Sequence, residues 1–438
     1  MQYERSREPG ELRTARTNPW LLAALILGAV ACTRPAPEAA PPQNIFLIVV
    51  DTLRRDHVSA YGDTTNTPNI DRLAQGGQVV REAVSSFHQT TMSMSALFTG
   101  RTPSLEWTDG QRLDWNGKTW CGLTRFAKGR DDDCIPSAIP TLAEEMRALG
   151  YRTVGVVANE LLYEPGGYQR GFDQWVEIAP SSEQKDRSGV FILPRRTAEA
   201  RSASAVNAAV LRSLDSQPKD EPLFVYVHYI DVHEYGVLNR SYAEAVELLD
   251  ADIGQLLDAL EKKGFLRDAL VVLTSDHGER LGETHVPGEW PKGHIGNPSF
   301  QTVLEVPLLA SRPILARGEE FVRSQDLYGV LLEAAGAKAT PPRDIEADEL
   351  YLSEMTYQTY RRGRWKSARS LDGKTAMLFD LQTDPGESRD VSARHPDIVA
   401  AHRARMDRLA KDLAATGPQS ATLSEADADR LRALGYLE

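Results

Sequence analysis

The feature that most constrains the fold is an alternation, from Asn44 onward, of short β-branched runs with longer helical patterns. This alternation is typical of a mostly parallel sheet covered by helices, because parallel strands are buried on both faces and need crossover connections. Helices are predicted over 140–149 and over 241–263, which end at Gly150 and Gly264. We predict an α/β fold whose buried strands include 45–50, 153–157, 223–227 and 269–273.

Polar groups follow three of these strands. They are Asp51 after the first, His228 and Asp231 after the third, and Ser275, Asp276 and His277 after the fourth. Ligands of open α/β sheets bind beyond the carboxyl ends of the strands, so we expect these side chains to converge on one crevice. Two carboxylates and an imidazole suit a divalent cation that polarises an S–O or P–O group. The alternative for Asp51 or Asp276 is a helix cap.

The pattern changes beyond about residue 340. Shorter strand-like pieces lie at 349–355, 364–369 and 374–381, and a helical pattern follows at 396–413. We therefore predict a catalytic domain over 44–340 and a C-terminal subdomain over 341–438, built from a small antiparallel sheet and a helix.

The charge balance restricts the partners. With 438 residues and a formal net charge of -12, the chain has no excess of basic residues with which to neutralise the phosphates of a nucleic acid. We predict no nucleic-acid partner, and any anionic substrate must be held by a metal or by a few local cations.

An apolar segment at 21–31 stands apart from the rest of the chain. It is too short for a comfortable membrane span and matches a signal-peptide core over 1–31. It ends in Ala29-Val30-Ala31-Cys32, which resembles a bacterial lipobox with Ala29 in place of the usual leucine. We predict lipidation at Cys32, a Pro/Ala-rich tether over 32–43, and a periplasmic or outer-membrane lipoprotein, with plain secretion or an uncleaved anchor as alternatives.

Two further cysteines, Cys121 and Cys134, flank a short polar loop. In an oxidising compartment they are expected to form a disulfide, and the alternative is two free thiols. A zinc site is disfavoured because neither a Cys-x-x-Cys pair nor a nearby histidine pair accompanies them.

Seven segments of the chain resemble the sulfatase family of the alkaline-phosphatase superfamily, in family order. They are VDTLRRDHVSAYG (50–62), TPNIDRLA (67–74), SALFTGR (95–101), YVHYIDVH (226–233), TSDHGE (274–279), FDLQTDPGE (379–387) and LGYL (434–437). The resemblance implies an alkaline-phosphatase-like sheet sandwiched by helices, and an ester hydrolase with a divalent metal.

The resemblance also implies a metal site at Asp51, Asp276, His277 and Thr90. The usual sulfatase pattern has a second aspartate after the first, and here Thr52 occupies that position. We therefore expect a single divalent ion, Ca²⁺, Mn²⁺ or Zn²⁺, in a site similar to that of phosphonate-ester hydrolases. Arg54 is expected to pair with a carboxylate near the metal.

The nucleophile position departs from the family. Counting back from Thr99-Gly100-Arg101, the Cys-x-Pro-Ser-Arg motif falls on residues 90–94, so that its cysteine, proline and arginine are all replaced. Thr90 cannot become formylglycine, but a metal-activated threonine can attack phosphorus or sulfur and form a covalent intermediate. This favours phosphoester chemistry. The alternative is that Thr90 and Thr91 only cap the following helix.

The resemblance assigns further residues to the substrate. His233 falls in the family's Asp-Pro-His segment and is the candidate general acid, whereas His228 is expected to be a core histidine. Lys292 and His294 fall where the family binds a substrate oxygen. His285 is as well explained as a solvated loop residue as a ligand.

These observations predict an exported hydrolase of a sulfate, phosphate or phosphonate ester on a sugar, a lipid or an aryl alcohol. One alternative is an envelope phospho-group transferase, which normally carries several membrane helices. The other is a lipid-anchored pseudoenzyme that binds glycans or proteins, suggested by the loss of the proline and arginine next to Thr90.

Overall fold

A computed structural model describes a large part of the chain after residue 40. The described residues are 41–105, 107–108, 111–112, 121–126, 134–164, 166–178, 201–217, 221–283, 285, 292–294, 299–316, 321–337, 342–354 and 356–414. They belong to one compact unit, Pro41–Glu438. The predicted signal peptide, Cys32 and the first part of the tether lie outside the described residues. Among the helices described, none has both the length and the apolar character needed to cross a bilayer.

The described strands are short and numerous. They are β1 (Asn44–Val50), β2 (Gln78–Val79), β3 (Glu82–Val84), β4 (Trp107–Thr108), β5 (Gln111–Arg112), β6 (Arg152–Val157), β7 (Gln174–Glu177), β8 (Leu223–Tyr229), β9 (Ala269–Ser275), β10 (Arg280–Leu281), β11 (Lys292–Gly293), β12 (Leu308–Ala310), β13 (Phe321–Arg323), β14 (Glu349–Ser353), β15 (Tyr357–Arg362), β16 (Trp365–Ser370) and β17 (Ala376–Asp380).

The described helices alternate with the longer strands. They are α1 (Pro68–Leu73), α2 (Thr90–Thr99), α3 (Leu142–Ala148), α4 (Ala203–Asp215), α5 (Tyr242–Lys263), α6 (Gln301–Leu304), α7 (Asp326–Ala334) and α8 (Pro396–Ala414).

The central sheet has seven strands in the order β2-β12-β9-β1-β8-β6-β7. The strands β9, β1, β8, β6 and β7 are parallel, and only β12 and the edge strand β2 pair antiparallel. All four strands predicted from the sequence are in this sheet. The predicted α/β class with a mostly parallel sheet is confirmed.

Strand β1 divides the hydrophobic core into two layers. Its alternate residues Ile45, Leu47 and Val49 pack with α2, α3 and α7 on one face. The intervening residues of β1 pack with α1, α4 and α5 on the other face. Because successive strand side chains point to opposite faces, a strand buried on both sides must be apolar throughout, as β1 is.

Local signals fix the ends of the predicted helices. Helix α5 begins with a capping box in which Ser241 and Glu244 bond each other's backbone N–H groups, and it ends at Gly264 with φ 85°. Helix α3 begins with the same device, formed by Thr141 and Glu144. The helix predicted from residue 140 therefore begins two residues later.

The C-terminal part forms an antiparallel sheet in the order β14-β15-β16-β17, with α8 packed against it. The predicted small sheet and helix are confirmed. The prediction of three strands was wrong, since the sheet has a fourth, β15 (Tyr357–Arg362). The domain boundary at residue 340 stays a prediction.

Cys121 and Cys134 form a disulfide, as predicted. Cys121 is fully buried next to Tyr168, whose hydroxyl donates a hydrogen bond to the carbonyl oxygen of Thr91 (2.9 Å). The bridge therefore lies beneath helix α2.

Candidate active site

The register of the central sheet explains why the strand-end residues meet. Val50 is level with Tyr229 of β8 and with Ser275 of β9, so that Asp51 and Asp276 both leave the sheet one residue beyond the same level. His228 is level with Val49 in the neighbouring strand. Parallel strands present their carboxyl ends at one edge, and here three adjacent strands do so.

Asp51, His228 and Asp276 form a candidate metal group. One ligand atom from each lies within 4.8 Å of the others, and all three residues are fully buried. The two predicted carboxylates therefore come together. His228, which we expected to be a core histidine, is buried as expected but faces Asp51, with Nε2 3.4 Å from Oδ2.

The two carboxylates are each half satisfied. Oδ1 of Asp276 accepts hydrogen bonds from the backbone N–H of Thr52 (3.1 Å) and of His277 (2.8 Å). Oδ2 of Asp51 accepts one from the side-chain amide of Asn159 (2.6 Å). Among the described residues, Oδ1 of Asp51 and Oδ2 of Asp276 have no hydrogen-bond donor. Burying two carboxylate oxygens without partners destabilises the folded protein and is unusual unless a cation binds them.

Thr52 makes this arrangement possible through its backbone. Its φ of 60° lies in the left-handed region, where a β-branched residue is uncommon. This conformation directs its N–H to Asp276 while its hydroxyl donates to the carbonyl oxygen of Asp51 (2.7 Å). Thr52 thus contributes a backbone donor at the position where the sulfatase pattern has a carboxylate.

Thr90 is the first residue of helix α2. Its Oγ1 lies 3.3 Å from Nε2 of His277 and 3.5 Å from Oδ2 of Asp51. Gln89 occupies the cap position, and no side chain caps the helix there. The position at a helix N-terminus favours negative charge, because the first N–H groups of a helix have no intrahelical partners.

His277 presents a lone pair to the site. Its Nδ1 lies 2.9 Å from the carbonyl oxygen of Gly278, which can only accept, so Nδ1 carries a proton. In the neutral ring, Nε2 is then the acceptor, and it lies 3.4 Å from Oδ2 of Asp276. The donor set of the two unpartnered carboxylate oxygens and this imidazole fits a divalent cation.

The sulfatase family profile matches residues 43–337. The chain belongs to the sulfatase family. It is 23% identical to "Sulfatase" of Formosa agariphila, over 78% of this chain and 82% of that protein. Two solved structures share the fold. A 2-O GAG sulfatase gives a TM-score of 0.64 at 16% identity and covers 88% of this chain and 96% of its own. The phosphonate monoester hydrolase of Agrobacterium radiobacter gives 0.58 at 16% identity, covering 85% and 96%. The predicted family and enzyme class, an ester hydrolase, are confirmed.

The pKa values of Asp51 and Asp276 are shifted in opposite directions in this sulfatase-family site. Burial, and next the charge of Asp51, raise the pKa of Asp276. Burial also opposes ionisation of Asp51, but the hydrogen bond from His228 and the neighbouring histidines hold the pKa of Asp51 below its usual value. Burial disfavours protonation of His277, yet Asp276 and Asp51 raise its pKa. Positive charge is therefore favoured between the two carboxylates.

His294 lies next to His277, with ring centroids 4.3 Å apart. Burial, reinforced by His277, lowers the pKa of His294 to about 4, although Glu279 works in the opposite direction. Its Nδ1 lies 3.2 Å from Oε2 of Glu279, which only accepts, so that Nε2 of the neutral ring is an acceptor. At neutral pH His294 is therefore neutral and does not clamp an anion with positive charge.

The other predicted residues have mixed outcomes. His233 is half-buried with its ring centroid 5.6 Å from that of His294, and so belongs to the histidine group. Lys292 is in β11, and its side chain lies outside the described residues. His285 stacks on Phe300, with centroids 3.9 Å apart. Arg54 pairs with Asp56 (2.6 Å) and Glu283 (2.7 Å), neither of which is a predicted metal ligand.

Asp231 does not join the metal group. Its carboxylate accepts hydrogen bonds from the hydroxyl of Ser202 (2.5 Å) and the backbone N–H of Ala203 (3.2 Å) at the start of helix α4. The helix-cap role considered for Asp51 and Asp276 applies to Asp231 instead. Its two satisfied oxygens explain why it needs no cation.

Sequence reasoning missed Asn159. It follows β6 by two residues, and β6 lies next to β8 in the sheet, with Val157 level with His228. The rule that singled out Asp51 and Asp276, a polar residue just beyond a buried parallel strand, also finds Asn159 when applied to this strand.

Proposed function

We propose that this sulfatase-family protein hydrolyses an anionic sulfate, phosphate or phosphonate ester, with Thr90 as the nucleophile. The observation that carries the proposal is the hydroxyl of Thr90 at a helix N-terminus, 3.3 Å from Nε2 of His277 and 3.5 Å from a carboxylate oxygen of Asp51. Asp51, Asp276, His277 and Thr90 would hold one divalent ion. When bound, such an ion supplies positive charge that makes the Thr90 hydroxyl more acidic and the ester more electrophilic.

The reaction then proceeds in two steps, in which the chain's own residues have the following roles. In the first, Oγ1 of Thr90 bonds to phosphorus or sulfur as the bond to the ester oxygen breaks, and the Thr90 proton passes to solvent water. The leaving oxygen takes a proton from His233. In the second, water attacks the threonine ester and gives one proton to the now neutral His233, the sulfate, phosphate or phosphonate is released, and Oγ1 of Thr90 takes a proton from solvent. The helix N-terminus stabilises the negative charge throughout.

The substrate class follows from the nucleophile and the relatives. An unmodified threonine favours phosphate or phosphonate esters, and a phosphonate monoester hydrolase shares the fold. A 2-O GAG sulfatase also shares it, which keeps a sulfated sugar among the candidates. We propose a phosphorus ester first and a sulfate ester second, with a sugar, lipid or aryl leaving group.

One observation favours a binding protein as the second candidate. Met94 occupies the position of the family's motif arginine, and its side chain is in the hydrophobic core. No guanidinium is therefore available from that position to hold an anion. The retained carboxylates and histidines favour the enzyme, since folding does not require two half-satisfied buried carboxylates.

A matched substrate panel tests the proposal. The full chain in detergent, supplied with Mn²⁺, Ca²⁺ or Zn²⁺, is assayed on aryl sulfate, phosphate monoester, phosphodiester and phosphonate monoester substrates that share one leaving group. We expect turnover of at least one class, lost on chelation and in Thr90→Ala. Cation binding without turnover on any substrate would favour the binding protein.

We also propose export and anchoring through Cys32. The apolar segment at 21–31 and the small residues before Cys32 support this. Mass spectrometry of the membrane fraction from an expressing bacterium should find a diacylglyceryl-modified N-terminal cysteine. The Cys32→Ala variant should lose the modification and leave the membrane, and an unmodified wild-type chain would contradict the proposal.

A further inference from the structure

The donors that the structure describes around the Asp51 carboxylate all lie at one of its two oxygens. Oδ2 lies 2.6 Å from Nδ2 of Asn159, 3.4 Å from Nε2 of His228 and 3.5 Å from Oγ1 of Thr90. Oδ1 of the same carboxylate has no hydrogen-bond donor in the part of the chain that the structure describes. The two oxygens of one side chain are therefore in opposite situations.

Asn159 is fixed as a donor by its second hydrogen bond. Its Oδ1 accepts from the backbone N–H of Leu161 (2.9 Å), which caps the short 3-10 turn that follows β6. A flipped amide would set its oxygen against a carboxylate oxygen and its NH₂ against an N–H group. The side chain is only 4% exposed, so no solvent compensates such a flip.

His228 is oriented in a similar way from the other side. Its Nδ1 lies 2.7 Å from the hydroxyl of Tyr226, and both residues are fully buried. The tyrosine hydroxyl can donate to Nδ1, which leaves the proton of the neutral ring on Nε2, facing Oδ2 of Asp51. The other tautomer would direct a lone pair at a carboxylate oxygen that only accepts.

We propose that Asn159 and His228 are positioning residues that bind Oδ2 of Asp51 and so direct its Oδ1 at the divalent cation, while His228 itself stays outside the coordination sphere. His277 is then the single imidazole ligand. This inference rests on the proposed function, because it assumes that the cation binds between Asp51 and Asp276. Outer-shell partners that orient a ligand in this way control metal affinity as well as activity.

The first test counts the nitrogens bound to the metal. Pulsed EPR of the Mn²⁺-loaded full chain detects each directly coordinated imidazole. We expect one in the wild type, none in His277→Gln, and one still in His228→Gln. Two imidazoles in the wild type would overturn the inference that His277 is the single imidazole ligand, and loss of a nitrogen signal in His228→Gln would make His228 a ligand. Either result would leave the proposed function intact. No bound Mn²⁺, Ca²⁺ or Zn²⁺ at all would overturn both.

The second test separates the donor role of Asn159 from its capping role. Serine can still accept from the N–H of Leu161 but is too short to reach Asp51, whereas alanine does neither. We expect Asn159→Ser and Asn159→Ala both to weaken Mn²⁺ binding about 10- to 100-fold by calorimetry. Only Asn159→Ala should also lose the cap.

A matched control is Asn207, a second buried asparagine. Its amide donates to the carbonyl oxygen of Asp252 (2.8 Å) and accepts from the hydroxyl of Tyr229. Asn207→Ser should lower the thermal stability without changing the Mn²⁺ affinity. If Asn159→Ser behaves like this control, with unchanged affinity, the positioning role is wrong. If the Asn159 variants do not fold, the nitrogen count on the wild type still decides the place of His228.

Discussion

The strand-end carboxylates Asp51 and Asp276 contrast with Glu349 of the C-terminal sheet. All three are fully buried. Glu349 accepts from the hydroxyl of Tyr360 (2.7 Å) and twice from the guanidinium of Arg405 (2.9 and 2.6 Å), so that both of its oxygens are satisfied. Asp51 and Asp276 each keep one oxygen without a donor among the described residues.

The difference distinguishes a structural charge from a functional one. A buried carboxylate whose oxygens are all paired holds elements together, and here Glu349 of β14 binds helix α8 through Arg405. A buried carboxylate left half paired destabilises the protein until a ligand binds, which is a cost that folding alone does not explain. Substitutions in the two regions should therefore change the free energy of unfolding in opposite directions and by different amounts.

The largest expected effect is on turnover at Thr90. Thr90→Ala should lower kcat/KM by at least about 10³-fold, because it removes the oxygen that we propose as the nucleophile. It should lower the free energy of unfolding by about 1 kcal/mol, because it removes a buried methyl group from a residue that does not cap its helix. Steady-state kinetics and urea unfolding check both values. Thr90→Ser should keep measurable turnover, and turnover that survives in Thr90→Ala would contradict the covalent mechanism.

The next effect is on stability at Glu349. Arg405→Ala leaves this buried carboxylate without its main partner and should lower the free energy of unfolding by about 3 kcal/mol, measured by urea unfolding. Metal affinity should not change. Arg403→Ala, on the same helix but exposed, is the control and should stay within about 0.5 kcal/mol of the wild type. If Arg405→Ala and Arg403→Ala lower the free energy of unfolding equally, Glu349 does not have the structural role that distinguishes it from Asp51 and Asp276.

Asp276→Asn should change the free energy of unfolding in the opposite direction to Arg405→Ala. The asparagine oxygen can still accept from the N–H groups of Thr52 and His277, and its NH₂ faces Nε2 of His277. The cation-free protein should therefore gain about 1 kcal/mol in unfolding free energy while Mn²⁺ binding is lost. Thermal unfolding with and without Mn²⁺ measures both. A destabilised cation-free variant would show that the charge is structural.

The smallest effect concerns pH and the C-terminal sheet. Burial, and next the charge of Arg362, lower the pKa of His402 to about 4. The unfolded chain takes up this proton near pH 6.5, so the stability contribution is complete above that pH and is lost as the pH falls towards 4. Between pH 7.5 and 5.5 the wild type should lose about 1 kcal/mol more than His402→Gln in urea unfolding. Parallel pH profiles for the two proteins would exclude this role.

The sequence predicted the parts of the fold that local patterns determine. Helix α5 was predicted to within one residue because local hydrogen bonds fix its start at Ser241 and its end at Gly264. Strand β15 was missed because it mixes polar and aromatic residues, and its pairing with two neighbours is a tertiary effect. The short strands β2 and β12 depend on the same long-range pairing.

The candidate site was predicted in a similar way. Strand-end position identified Asp51 and Asp276, and the rule also covers Asn159 after β6. His228 could not be distinguished from a core histidine, because its importance depends on the register that sets it level with Val49 and next to Asp51. Registers between distant strands cannot be read from spacing along the chain.

The position of Thr90 at the start of helix α2 has a practical consequence for producing this protein. The family motif has at this position a cysteine that is converted to formylglycine, and Thr90 cannot undergo that conversion. A threonine hydroxyl is complete as translated, and the helix sets its place beside His277 without any chemical maturation. Recombinant preparations of this chain should therefore be chemically uniform at Thr90 in any expression host.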